Sequence, residues 1–240
     1  MDNKNVEEYY DDFIGYQVKA GVNDRIHGLF NRLLHLGLKA DSNVLELGSG
    51  IGVMSFLLSK KVTSGKIEAV DISTKSIEFS RSRIKSKNIS FFADDIINYV
   101  PKNKDFDFIT LFDIIEHIPI ERHSDLFRNL ASIANENTKI LINIPNPEYI
   151  EYIRENKPGA LQIIDQPIPL SAVLTNAEKN GLQITCFETY NIWVESDYQF
   201  FVIKKKKKFT ENKLSEGWNL SQKIKSRVRR KYMNLRYQYR

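Results

Sequence analysis

Three glycines at alternate positions, Gly48, Gly50 and Gly52, separate an apolar run from a helix-like run in "NVLELGSGIGVMSFLLSK", and a carboxylate, Glu46, stands two residues before the first of them. A glycine turn lacks Cβ atoms and admits positive φ, so its backbone can lie against a flat or charged ligand. Nineteen residues after Gly52 comes Asp71 in "AVDIS", a strand-end acid placed to accept from both hydroxyls of a ribose. A second block, "FDIIEH", sets Asp113, Glu116 and His117 at i, i+3 and i+4, a spacing that shares one face of a helical turn. A neutral imidazole suits proton removal near physiological pH. Pro119, two residues after His117, pushes Ile118 away from helical geometry and interrupts that turn.

The elements that must position these residues alternate along the chain. After a helical stretch, "DRIHGLFNRLLHLGL" (Asp24 to Leu38), the apolar runs "NVLEL", "KIEAVDI", "ISFFADD", "FDFITLFD" and "KILINIP" alternate with helix-period spacers. This alternation predicts βαβ units, hence an α/β, Rossmann-like, mostly parallel sheet with helices on both faces. "GLQITCFETYNIWVESDYQFFVIKKK" holds two β-rich runs close together and predicts an antiparallel hairpin that closes the sheet. The prolines between 146 and 169 break that stretch into a short helix, the loop "IIDQPIP" and the following helix "LSAVLTNAEKNG". The expected organisation is an N-terminal helical cap over 1–40, a catalytic domain over 41–208 with a substrate lid at 146–169, and a basic tail over 209–240.

Two cofactor classes suit the glycine turn, a dinucleotide and S-adenosylmethionine. A dinucleotide fingerprint needs glycine three residues after Gly50, where this chain has Val53. Glu46 would repel a pyrophosphate yet could hold an ammonium group. The successive motifs "VLELGSGIG", "VDIS", "ISFFADDI" and "FDFITLFDIIEHI" resemble those of the class I S-adenosylmethionine-dependent methyltransferases over roughly Asn43 to Pro145. The resemblance implies a seven-stranded sheet and a cofactor site made of Tyr10, Glu46, Gly48, Ser49, Gly50, Asp71, Ile72, Asp95, Ile96 and Phe112. Within it Asp71 would bind ribose, Ile72 would pack on adenine, and Asp95 rather than Asp94 would accept from the adenine amino group. "DIIEH" is similar to the "ExxEH" block of ubiquinone-pathway O-methyltransferases and small-RNA 2′-O-methyltransferases. That similarity implies a divalent metal on Asp113, Glu116 and His117 as the alternative, whereas the chemistry of a neutral imidazole makes His117 the expected base or acceptor-orienting group. Tyr9 and Tyr10 before the sheet, and Tyr149 and Tyr152 after the fifth strand, are expected to roof the acceptor pocket.

The chain of 240 residues carries a formal charge of +5, divided unevenly. From Lys204 onward 14 Lys and Arg face 2 Glu, a net of +12, which leaves −7 for residues 1–203. In "NLSQKIKSRVRRKYMNLRYQYR" the residues Leu220, Ile224, Val228, Tyr232, Leu235 and Tyr239 fall along one helix face among basic neighbours, a pattern suited to an anionic membrane surface. No run reaches the roughly 18 apolar residues of a spanning helix, and the acidic N-terminus has no signal-like core, so a cytoplasmic protein is expected, with peripheral contact at the inner membrane face. The single Cys186 forms no intramolecular disulfide and is expected to be a small buried residue. The leading expectation is O-methylation of a small molecule or glycan intermediate. An RNA 2′-O-methyltransferase and a non-catalytic binding protein of the same fold are the competing readings.

Overall fold

The computed structural model describes residues 14–161, 164–211 and 217–238. Seven strands form one sheet in the order β3-β2-β1-β4-β5-β7-β6. β1 (Val44–Leu47), β2 (Ile67–Asp71), β3 (Ile89–Ala93), β4 (Phe108–Phe112) and β5 (Lys139–Pro145) run parallel, whereas β7 (Tyr198–Lys205) is antiparallel to both β5 and β6 (Leu182–Tyr190). The chain therefore winds outward from β1 to β3, then returns to place β4 on the other side of β1. The turns after β1 and β4 flank the point where strand order reverses, the crevice in which open α/β sheets bind ligands.

Helices cover both faces. They are α1 (Ile14–Ala20), α2 (Asp24–His35), α3 (Val53–Lys61), α4 (Thr74–Arg83), α5 (His123–Ile133), α6 (Pro147–Asn156) and α7 (Leu170–Lys179). Alternate strand residues serve alternate layers. Leu45, Leu47, Ile109, Leu111, Ile140 and Ile142 pack with Leu126, Phe127 and Leu130 of α5 and Val173 and Ala177 of α7. Val44, Ile67, Ala69, Phe108 and Leu141 pack instead with Leu29 and Leu33 of α2, Met54 and Leu58 of α3 and Ile77 of α4. Each fully buried Leu, Ile or Phe stabilises by roughly 1.5–3 kcal/mol, so both layers hold the strand ends firmly.

Cys186 corrects the expectation from sequence: it is exposed. β6 is the outermost strand, and its irregular register between Ile184 and Cys186 leaves residues 185–189 facing solvent. Residues 207–240 form a separate unit from residues 1–206. Within it α8 (Leu220–Tyr237) starts at a capping box in which Asn219 and Gln222 each accept from the other's backbone N–H, and every residue of the helix is exposed. Leu220, Ile224, Val228, Tyr232 and Leu235 are among the exposed apolar side chains, and Tyr239 lies outside the described residues. Among the described residues no helix is long and apolar enough to cross a membrane.

Candidate functional site

The turn after β1 is built on left-handed backbone. Gly48, Gly50 and Gly52 have φ of 80°, 51° and 81°, a region in which side chains are strained. A Cβ on Gly48 would lie 1.9 Å from the Ile114 Cδ1 atom, so Ile114 packs directly on this glycine and joins the turns after β1 and β4. The N–H groups of Gly48 and Ser49 donate to the Val70 carbonyl at 2.8 and 2.9 Å. Asp71 completes the weld: its Oδ2 accepts from the Gly50 N–H at 2.7 Å and its Oδ1 from the Ser73 N–H at 2.9 Å. The Ser49 hydroxyl is buried without a hydrogen-bond partner.

Glu46 lies beneath this turn, 5 % exposed, and accepts from the Ser55 hydroxyl. Burial pushes its carboxyl up to about 8, the Ser55 bond opposes that rise, and the Asp71 charge adds to it. Asp95 is half-buried, accepting from the Ile97 N–H at 3.0 Å with Arg122 Nη2 at 3.4 Å, whereas Asp94 is exposed. The Asp94 N–H donates to the Asp71 carbonyl at 3.0 Å, which brings the ends of β2 and β3 together. Ile72 and Phe112 are half-buried and Ile96 is buried. Tyr9 and Tyr10 lie outside the described residues, Tyr149 is half-buried and Tyr152 is 52 % exposed.

The turn after β4 departs from the helical spacing of its sequence. Asp113 has φ 57°, a left-handed conformation that is strained for a non-glycine residue, and Ile115–His117 form one 3₁₀ turn. Asp113, Glu116 and His117 are thus not three rungs of one α-helical face. His123, buried at the start of α5, has its Nε2 2.9 Å from the carbonyls of both Ile115 and Ile118, closing the 3₁₀ turn from below.

Several elements meet this turn. Arg25 of α2 places Nη1 3.2 Å from Asp113 Oδ1 and donates to the Tyr198 hydroxyl at 3.1 Å. Burial works against the Arg25 charge, but Asp113 and Tyr198 outweigh it and leave the guanidinium raised. Burial raises Asp113, with Arg25 opposing, and pushes Tyr198 well above the usual phenol range, helped by the Asp113 charge. From β5, Asn143 Oδ1 accepts from the Tyr190 hydroxyl at 2.7 Å while its amide nitrogen is buried without a partner. From the 157–169 segment, Asp165 Oδ1 stands 3.2 Å from His117 Nδ1, and the Ile164 carbonyl also faces that nitrogen.

Glu116 is the anomaly. It is 1 % exposed, both carboxyl oxygens lack a hydrogen-bond partner, and His117 Nε2 is 3.9 Å from Oε1. Burial, then the Asp113 charge, pushes it well above the carboxylate range. Glu68 shows what a buried structural carboxylate has in the same fold: it accepts from the Tyr99 hydroxyl, the Lys102 N–H and both the backbone and side-chain nitrogens of Asn103. At Glu116 only its own backbone N–H opposes the rise as a donor, and a buried carboxyl so poorly satisfied is expensive. Among the described residues no group of three or more His, Cys, Asp and Glu is disposed to hold a metal ion. Asp113 Oδ1 faces Arg25 and His117 Nδ1 faces Asp165, while His117 Nε2 and Glu116 Oε1 lie 3.9 Å apart.

Arg25, Tyr198, Asn143 and Asp165 carry no local motif and come from four separate elements, which is why the sequence did not reveal them. The chain matches the family described as "Methyltransferase domain" over residues 18–195. It is 32% identical over 122 residues to malonyl-[acyl-carrier protein] O-methyltransferase 1 of Ilyobacter polytropus, covering 50% of this chain and 44% of that relative. With an uncharacterized RNA methyltransferase of Mycoplasma mobile it shares 26% identity over 195 residues, 79% of this chain and 45% of that protein. The matches thus span less than half the length of these two relatives. Magnesium protoporphyrin IX methyltransferase of Synechocystis PCC 6803, solved with bound SAH, has a TM-score of 0.67 at 16% identity, covering 85% of this chain and 100% of that one, a likeness of fold.

Proposed function

Because the chain belongs to the methyltransferase-domain family of class I S-adenosylmethionine-dependent enzymes, we propose that it methylates a hydroxyl oxygen of a small molecule or glycan intermediate. The observation that supports this reading is Ile114 packed on Gly48, which joins the glycine turn to the turn that carries Glu116 and His117.

The residues present fit the cofactor. The cradle at Gly48, Gly50 and Gly52, the unspent Ser49 hydroxyl and the high-lying Glu46 suit a ligand that brings hydrogen-bond donors and a positive charge. Asp71 would take the ribose hydroxyls, each carboxylate oxygen keeping a lone pair beyond its backbone bond. Glu46 would face the ammonium, Asp95 the adenine amino group, and Ile72, Ile96 and Phe112 the flat apolar surfaces. S-adenosylmethionine supplies, when bound, a methyl group on a positively charged sulfur.

The chain's own task is alignment, exclusion of water and disposal of one proton. An acceptor hydroxyl aligned to take the methyl group that S-adenosylmethionine would supply would pass its proton to His117 Nε2. Glu116 and Asn143 are among the buried groups of the described residues with hydrogen-bonding capacity left, and would hold the acceptor.

The basic tail favours two further partners. The exposed apolar residues of α8, interleaved with Lys223, Lys225, Arg227, Arg229, Arg230, Lys231 and Arg236, support peripheral binding to an anionic membrane, and the same charge supports the second reading, RNA 2′-O-methylation. Calorimetry with S-adenosylmethionine, followed by transfer of labelled methyl to hydroxylated small molecules and to RNA oligonucleotides, tests the proposal. Asp71→Ala is expected to weaken cofactor binding by roughly 1.5–3 kcal/mol through lost charge-assisted bonds. No binding by the intact chain defeats the reading, and transfer to RNA alone selects the second one.

A further inference from the structure

Asp165 belongs to no motif, yet the fold presents it to the ring that the reaction uses. It lies between α6 and α7, in a segment stapled to the 3₁₀ turn. The Gln166 N–H donates to the Glu116 carbonyl at 3.1 Å, and the Gln166 side-chain amide donates to the Ile118 carbonyl at 2.7 Å and the Glu116 carbonyl at 3.3 Å. His123 grips the same turn from the opposite side. Between these two restraints the His117 ring, 11 % exposed at its side chain, has little freedom to rotate.

What faces each ring nitrogen then determines where the proton sits. Nδ1 faces the Asp165 carboxylate at 3.2 Å and the Ile164 carbonyl, and both can only accept. A neutral ring held there must carry its hydrogen on Nδ1, leaving the lone pair on Nε2, which lies 3.9 Å from Glu116 Oε1. Among the described residues, the charged and titratable groups near the ring include Asp113 and Glu116 on the turn, Asp165 on the lid, Arg25 from α2, Tyr198 from β7 and Arg154 of α6, whose Nη2 donates to the Asp165 carbonyl at 2.8 Å. Arg25 is engaged by Asp113 and Tyr198.

We infer that Asp165 is a positioning residue that holds His117 in its Nδ1–H tautomer, and that the acceptor is a neutral hydroxyl rather than a carboxylate or phosphate. The second half rests on the methyltransferase reading above. A carboxylate acceptor would carry no proton for Nε2 to take. A hydroxyl would hand its proton to Nε2 as its oxygen takes the methyl group.

Long-range proton–nitrogen NMR of histidine-labelled full-length protein, recorded at about pH 9 where an ordinary imidazole is neutral, reads the tautomer without any acceptor. His117→Gln identifies the signals. The expected result is the Nδ1–H tautomer in the native chain and in Asp165→Glu, with a shift of about tenfold towards Nε2–H in Asp165→Asn, where a charge-assisted bond becomes a neutral one. Gln166→Ala loosens the lid while keeping both Nδ1 partners, so it should retain Nδ1–H and separates positioning from simple folding. An Nε2–H tautomer in the native chain, or an unchanged tautomer in a folded Asp165→Asn protein, overturns the positioning role. Methyl-ester formation on malonate, with hydroxyl compounds untouched, overturns the acceptor class. Absence of cofactor binding would instead sink the methyltransferase reading and leave the tautomer result standing.

Discussion

Cofactor binding should expel a proton, because Glu46 is neutral in the empty site. Its carboxyl is 5 % exposed, its hydrogen-bonding side-chain partner is the Ser55 hydroxyl, and burial lifts it to about 8. At pH 7 a group titrating there is about 0.9 protonated. An ammonium brought against it favours the carboxylate, so binding at pH 7 should release up to about 0.9 proton, and affinity should rise by up to about tenfold per pH unit between pH 6 and 7. Calorimetric titration of S-adenosylmethionine in phosphate and in Tris, whose ionisation heats differ, measures the protons released directly. Glu46→Gln should abolish the buffer dependence and weaken binding. The empty protein offers an independent check with a definite sign. The folded value lies above the ordinary 4.5, so the contribution of Glu46 to stability is intact below about pH 4.5 and is lost as pH rises through about 8. The loss is on the order of a few kcal/mol, and thermal melts should show Glu46→Gln gaining on the native chain between pH 5 and pH 8. Buffer-independent binding heats, or a native chain that holds its advantage across that range, would refute the reasoning.

His117→Ala should lower turnover by roughly 100-fold or more while calorimetry shows cofactor affinity nearly unchanged, and a chelator should leave native turnover intact. Activity that is lost to the chelator and restored by a divalent ion would instead make Asp113, Glu116 and His117 metal ligands. Gly65→Ala should destabilise the fold by about 3 kcal/mol or more in denaturant melts, because its Cβ would lie 1.9 Å from the Ser42 carbonyl oxygen, whereas Gly159→Ala, with no atom within 4 Å, should be close to neutral. The tail predicts that the full chain sediments with anionic vesicles, with a salt-sensitive part lost on truncation after Phe209 and a salt-resistant part lost when Leu220, Ile224 and Val228 become Ser. Equal recovery of all three proteins would reject membrane contact.

The strands that carry the cofactor turn were legible because parallel strands buried on both faces read as short apolar runs, and "NVLEL" and "FDFITLFD" became β1 and β4. The placement of Glu46, Gly48, Gly50 and Asp71 at or just beyond strand ends was legible for a related reason, since each stands at a fixed offset from an apolar run. Beyond the strand ends that logic stops. The i, i+3, i+4 spacing of Asp113, Glu116 and His117 suggested a helical face, but left-handed Asp113 and the 3₁₀ turn ahead of Pro119 replace it. Cys186 sits in a strand-like run whose outermost position in the sheet depends on pairing order rather than local pattern. Arg25, Asn143, Asp165 and Tyr198 reach the site from sequence positions up to 173 residues apart, as with the Arg25 to Tyr198 bond, a convergence that only tertiary packing creates.

The central claim is transfer of a methyl group to oxygen beside His117. Incubating the full chain with carbon-13 methyl-labelled S-adenosylmethionine and a fraction of polar hydroxylated metabolites, then recording carbon–proton NMR of the products, tests it most directly. The account predicts new labelled O-methyl signals that fall by roughly 100-fold or more with His117→Ala. Label appearing on nitrogen or carboxylate, or undiminished O-methyl signals from the His117→Ala protein, would contradict it.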